Sequence, residues 1–172
     1  MPLPVAHGLL GASVVAALAP RFSGRRGLRR YLLAGALLAN AADLDFLLVF
    51  AFQSRAWHRA FTHSLFFGLL VALALVAARG LQRLRASAAL GLAYASHALL
   101  DWATTKEGGG VQLLWPFSGE RLMLAWRGLS ELPSKLSPAE IVSAALLELV
   151  IFAPPLVLIL FLRYALRGKG GG

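Results

Sequence analysis

The chain has 172 residues, 58% of them hydrophobic, a mean hydropathy of +0.69 and no cysteine. This composition excludes an ordinary soluble domain, any disulfide and any thiolate metal site, and it points to one membrane-embedded domain over residues 1–172. The formal charge of +9 does not indicate a nucleic-acid partner, because the basic residues cluster between apolar runs, as in loops that face anionic lipid.

The first apolar run covers about Val5 to Ala19, short for a membrane span, with His7 near its start. No basic stretch precedes it, so it reads as a retained span rather than a signal peptide. Arg21, Arg25, Arg26, Arg29 and Arg30 follow, and a second run extends from Tyr31 to about Phe52, interrupted late by Asp43 and Asp45. After the connection from Gln53 to Arg59, a third run covers Phe61 to Ala78, and Arg79, Arg83 and Arg85 form a second basic loop. A fourth run, Ala86 to Ala103, carries His97 and Asp101. Residues 104–138 read as a loop or re-entrant segment, with Leu122 to Trp126 as a short amphipathic or re-entrant piece. The final span, residues 141–162, includes Glu148 and the pair Pro154-Pro155, which predicts a kink. Residues 163–172 read as a flexible basic tail.

The expected fold is therefore all-α, a polytopic helical bundle of about five spans. Placing the three basic clusters in the cytoplasm puts the amino terminus outside and the carboxy terminus inside. On that topology His7, Asp43, Asp45, His58, His63, His97 and Asp101 all fall at the outer face, within residues 7–117. They are every histidine and aspartate in the chain. Ionisable side chains in apolar runs are costly, and seven on one side point to a functional site.

Local spacing refines the picture. His97 and Asp101 are four residues apart and share a helix face. Asp43 and Asp45 would diverge on an intact helix, so a break at Asn40-Ala41-Ala42 is expected to turn both inward. His58 and His63 are five residues apart, a rotation of about 500° on a helix, so they converge only if His58 lies on the incoming loop and His63 in the first helical turn. Thr62 is then the expected N-cap, and Ser64 the expected support for the histidine. Imidazole with carboxylate and no thiolate suits a divalent metal, zinc first, with manganese or iron(II) as alternatives. Such a centre activates water for hydrolysis, with Asp43 or Asp45 as general base and Arg59 holding an anionic group such as a phosphate.

These residues resemble the YdjM-type family of inner-membrane-associated proteins read as metal-dependent hydrolases. The resemblance is carried by His7, Asp43-Leu44-Asp45, His58-Arg59-Ala60-Phe61-Thr62-His63-Ser64, His97-Ala98-Leu99-Leu100-Asp101 and Leu113-Leu114-Trp115-Pro116-Phe117. Where family members commonly have proline before the Asp-x-Asp, this chain has Ala42. The resemblance implies distant kinship to helical zinc-dependent phospholipase C, a bacterial-type inner-membrane location, and hydrolysis of a phosphoester or phospholipid drawn from membrane lipid. If such a substrate enters laterally, Trp115 and Phe117 are expected to line the mouth, the alternative being an interfacial aromatic belt. A metal-binding transporter, or a structural protein in which metal only joins helices, is the alternative.

Overall fold

The computed structural model describes residues 2–20, 24–106, 109–126 and 137–168. Arg21 of the first basic loop and residues 169–172 of the expected tail lie outside them. Six α-helices are described: α1 Pro4–Leu18, α2 Gly24–Asn40, α3 Phe46–Phe52, α4 Leu65–Arg79, α5 Leu84–Thr104 and α6 Pro138–Gly168. Short 3-10 turns at Ala41–Asp45, Arg55–Trp57, Phe61–His63 and Leu81–Arg83 join or break them. Among the described residues the only β feature is an isolated antiparallel bridge between Val111 and Leu122.

Helix α5 lies at the centre, packed against α1, α2 and α4, and α1 is enclosed by α2, α5 and α6. Small residues let these helices approach closely, as expected where lipid offers no hydrophobic drive for association. A Cβ on Gly11 would stand 2.4 Å from the Ala39 methyl, and one on Gly35 would stand 2.6 Å from Val15 Cγ2. Gly68 and Gly91 play the same part between α4 and α5, against Ala95 and Ala72.

Helix α6 grips α1 at both ends. The Glu148 carboxylate accepts from the backbone N–H groups of Leu3 at 2.5 Å and Ala6 at 3.1 Å, at the end of α1 where intrahelical acceptors run out; the Ala6 N–H is shared with the Leu3 carbonyl. Arg163 donates to the carbonyls of Ala16 and Ala19 at the other end. Negative charge therefore meets the amino end of α1 and positive charge the carboxy end, complementing its dipole. The two side chains are separated by about 22 Å along α6, the length of α1, so the two helices run parallel. Arg163 was expected in a flexible tail, yet α6 runs on to Gly168, and it continues as helix through Pro154 and Pro155.

By length and composition, two helical stretches among the described residues suffice to cross a membrane, Gly24–Phe52 and Pro138–Leu166. A third is added if Arg55–His63 and Leu65–Arg79, bent by 56°, form one span. Five spans are not evident by this measure. The reason is that α1 is only 15 residues long and α5 carries Ser87, Ser96, His97 and Asp101, all buried against protein, which lower its mean hydropathy. The segment Leu122–Trp126 is extended, not helical. Leu122 pairs with Val111, and the N–H groups of Leu124 and Trp126 donate to the carbonyls of Trp102 and Ala103 at the end of α5.

The two ends of the bundle differ chemically. Arg85 and Arg163 reach the carboxy end of α1, and Arg79 lies over the Tyr31 ring near the start of α2. The opposite end holds the histidines and aspartates.

Candidate metal centre

Four chain segments meet at that end. The 3-10 turn Ala41–Asp45 interrupts the helical run where a break was expected, and it turns both aspartates inward without a proline. Asp45 is buried and Asp43 nearly so. His7 projects from the first turns of α1, and His97 and Asp101 from the last turns of α5. His58 and His63 come from the irregular stretch before α4, where Arg59 adopts φ 57°. All seven predicted residues are brought together.

The innermost atoms are unusual for a protein interior. His7 Nδ1 and Nε2, Asp43 Oδ1, His63 Nε2, His97 Nε2 and both Asp101 oxygens are buried without a well-formed hydrogen bond. Buried polar groups are nearly always paired, and a set of orphans demands an explanation such as a bound ion. Asp43 Oδ1 lies 3.4 Å from His97 Nε2 and 3.5 Å from His63 Nε2. Asp101 Oδ2 lies 3.8 Å from each of those nitrogens, and His7 Nε2 is 3.5 Å from Asp101 Oδ1. Donors placed 2.0–2.1 Å from one tetrahedral cation stand about 3.3 Å apart. The observed spacings match that edge better than they match hydrogen bonds.

The hydrogen bonds behind these atoms fix which nitrogens point inward. His97 Nδ1 lies 2.6 Å from the Ala39 carbonyl, which can only accept, so Nδ1 carries the hydrogen and Nε2 presents a lone pair. His63 Nδ1 is 3.2 Å from Asp45 Oδ2, with the same consequence for its Nε2. The His7 and His97 rings stack with centroids 3.8 Å apart.

Asp45 is occupied differently from Asp43. Its Oδ1 lies 3.0 Å from His58 Nδ1, and its Oδ2 accepts from the Arg59 N–H at 2.9 Å and the Thr62 hydroxyl at 3.1 Å, besides His63. One carboxylate therefore organises the whole stretch from His58 to His63. His58 sits at the rim, partly exposed and stacked on Phe46. Arg59 turns inward rather than toward headgroups, its Nε 3.2 Å from Asp101 Oδ2.

Two expected roles are exchanged. Ser64, not Thr62, caps α4, accepting from the Phe67 N–H at 3.0 Å. Thr62 belongs to the preceding 3-10 turn, and its hydroxyl, 3.1 Å from His63 Nδ1, supports the histidine in place of Ser64. His63 accordingly lies before α4, not in its first turn.

Several supporting residues had no local signal in the sequence. Tyr94 on α5 donates its hydroxyl to the Thr62 carbonyl at 2.9 Å. Arg121 donates to the carbonyls of Ala56 at 2.7 Å and His58 at 3.1 Å, tying the 109–126 segment to the site loop. Trp115 packs against Phe61 and Phe66, while Phe117 is exposed beside Phe66.

The chain has a relative among known proteins. It is 39% identical over 116 residues to the inner membrane protein YbcI of Escherichia coli (strain K12), a match covering 63% of this chain and 66% of that one. The chain thus spans just under two thirds of the length of that relative. No solved structure matches the chain. The YdjM inner membrane protein family matches residues 1–167, nearly the whole sequence and all seven clustered residues. The chain belongs to the YdjM inner membrane protein family.

Proposed function

We propose that the protein is a membrane-embedded, metal-dependent hydrolase of phosphoesters. The observation that carries this reading is the set of orphaned donor atoms on His7, Asp43, His63, His97 and Asp101, converging at metal-ligand spacing. Asp43, His63, His97 and Asp101 would hold the cation, zinc first by donor type, with manganese or iron(II) as alternatives. His7 forms another group of three with His97 and Asp101, which shares His97 Nε2 with the first, so a second ion would have to take His7 and Asp101 without His97. A cation held there would lower the pKa of a water and polarise a phosphoryl oxygen.

The chain's own residues supply the rest. Asp45 orients His58 and His63. His58, with its Nδ1 hydrogen on Asp45, keeps Nε2 as a base at the rim. There it takes the proton of the attacking water as the new P–O bond forms, and returns it to the leaving oxygen as the ester P–O bond breaks. Arg59 lies within the cluster, where its guanidinium offsets the charge of Asp101 and of a phosphate.

By the positive-inside rule, the arginines at the opposite end favour a cytoplasmic position for that end, which would put the amino terminus and the centre at the outer face. The five-span arrangement follows if protein-enclosed α1 and α5 also cross. The test is metal content by mass spectrometry of the detergent-purified protein, beside a His63→Ala, His97→Ala double variant, followed by assay of phosphoester substrates. Stoichiometric metal, lost in the variant, with turnover that a chelator abolishes, is the expected result. No metal in the wild type after reconstitution with zinc, manganese or iron(II) overturns the reading.

A further inference from the structure

A second feature adjoins the cluster from the side. Between the broken segment of α2–α3 and helix α4 lies a groove of about 340 Å³, near the lower end of the 300–1,000 Å³ range of small-ligand pockets. Its walls are Leu38, Leu44, Leu48, Phe67 and Val71, and its lining is almost wholly apolar. Polar groups occur only where Asp45, Thr62 and Tyr94 line it. The Thr62 hydroxyl is hydrogen-bonded to Asp45 and touches His63 Nδ1, so this part of the groove is one side chain away from the inner donors.

The surroundings identify the occupant. One wall belongs to the Gly24–Phe52 stretch, which is long and apolar enough to cross a membrane, and the other to the bent Arg55–Arg79 pair. The neighbouring surface carries exposed Leu44, Leu47, Leu70 and Leu73. In a membrane the medium against such a surface is hydrocarbon. A water-soluble ligand would cross that medium to reach the groove, whereas a lipid chain already lies in it.

We propose that this groove holds a hydrocarbon chain of a membrane amphiphile, with the chain's polar end directed past Thr62 toward the His/Asp cluster. This rests on the hydrolase reading for the fate of the polar end, and it narrows the substrate class to lipid-linked phosphoesters over soluble ones. Val71 is the wall residue to alter, because it lines the groove without touching the cluster. Each methylene displaced from an apolar site costs about fourfold in binding, so a tryptophan that evicts two or more weakens retention by about tenfold or more.

The experiment uses the full chain in detergent, as wild type, Val71→Trp and the lipid-facing control Leu73→Trp. Native mass spectrometry with a dipalmitoyl phospholipid measures retention. Release of p-nitrophenolate from the hexadecyl and methyl monoesters of p-nitrophenyl phosphate measures turnover. The proposal expects lipid retained by wild type and Leu73→Trp but lost from Val71→Trp, with hexadecyl turnover falling about tenfold and methyl turnover unchanged. Equal retention and equal hexadecyl turnover in all three proteins overturn the groove while leaving the hydrolase standing. Selective lipid loss from Val71→Trp with no turnover of either ester by wild type supports the groove and refutes the hydrolase reading. A melting temperature shared by the three proteins separates a blocked groove from a misfolded chain.

Discussion

Replacing Asp45 by asparagine tests whether this residue orients ligands or is itself one. The carboxylate accepts from His58 on Oδ1 and from the Arg59 N–H, the Thr62 hydroxyl and His63 on Oδ2. An amide has one oxygen, and its nitrogen only donates. Facing the nitrogen toward Oδ2's partners sets it against two N–H donors, so the amide oxygen takes that side and the nitrogen faces His58. His63 then keeps an acceptor for Nδ1–H, though a neutral one, and its Nε2 still points inward. His58 must shift its hydrogen to Nε2 and ceases to be a base. The expected loss in metal affinity is that of a residue behind a ligand, about 10- to 100-fold, or about 1.4–2.7 kcal/mol. Turnover should fall further than metal occupancy explains. Competition with a chromophoric zinc chelator gives the affinity, and the rate at saturating metal gives the catalytic loss. Asparagine that leaves turnover at saturating metal unchanged would refute the role given to His58. Complete loss of metal at any concentration would show Asp45 to be a ligand after all.

Three further outcomes are expected. Glu148→Ala removes two hydrogen bonds to a charged acceptor, each worth about 1.5–3 kcal/mol, so the melting temperature should drop by about 6–24 °C, and Glu148→Gln should recover part of it because one acceptor remains. Gly35→Val drives a side chain into Val15 and the Gly11 backbone, at more than about 1–3 kcal/mol, and should abolish monodisperse protein in size-exclusion chromatography, whereas Gly119→Ala, with open space around it, should not. Arg121→Ala frees the loop that carries His58 and should lower turnover by about 10- to 100-fold with metal content unchanged, while Arg121→Lys, lacking the forked guanidinium, should restore only part of it.

The inner donors were legible in the sequence because chemistry and position agree there. Histidine and aspartate are expensive in apolar runs, and an alternating topology puts every one of them at one end. The break at residues 41–45 was legible too, since only a break lets Asp43 and Asp45 face the same way. What stayed hidden depends on partners far away in the chain. Glu148 and Arg163 bear no mark of gripping α1 about 145 residues earlier. The exchange between Thr62 and Ser64 hides for a local reason: both are hydroxyl residues suited to a cap, and only the exact start of α4 decides between them. The number of spans is less legible where a helix is enclosed by protein, as α1 and α5 are, because their small and polar faces answer to neighbouring helices.

The grip of α6 on α1 sets an order of assembly. The helix that delivers His7 is made before the residues that hold its two ends, which follow about 145 residues later in the chain. Until Glu148 and Arg163 have been made and inserted, the amino end of α1 has unsatisfied donors, one turn from His7. Placement of His7 beside the other donors therefore depends on the docking of α6, and an ion held by the cluster would meet the full donor set only once α6 is in place.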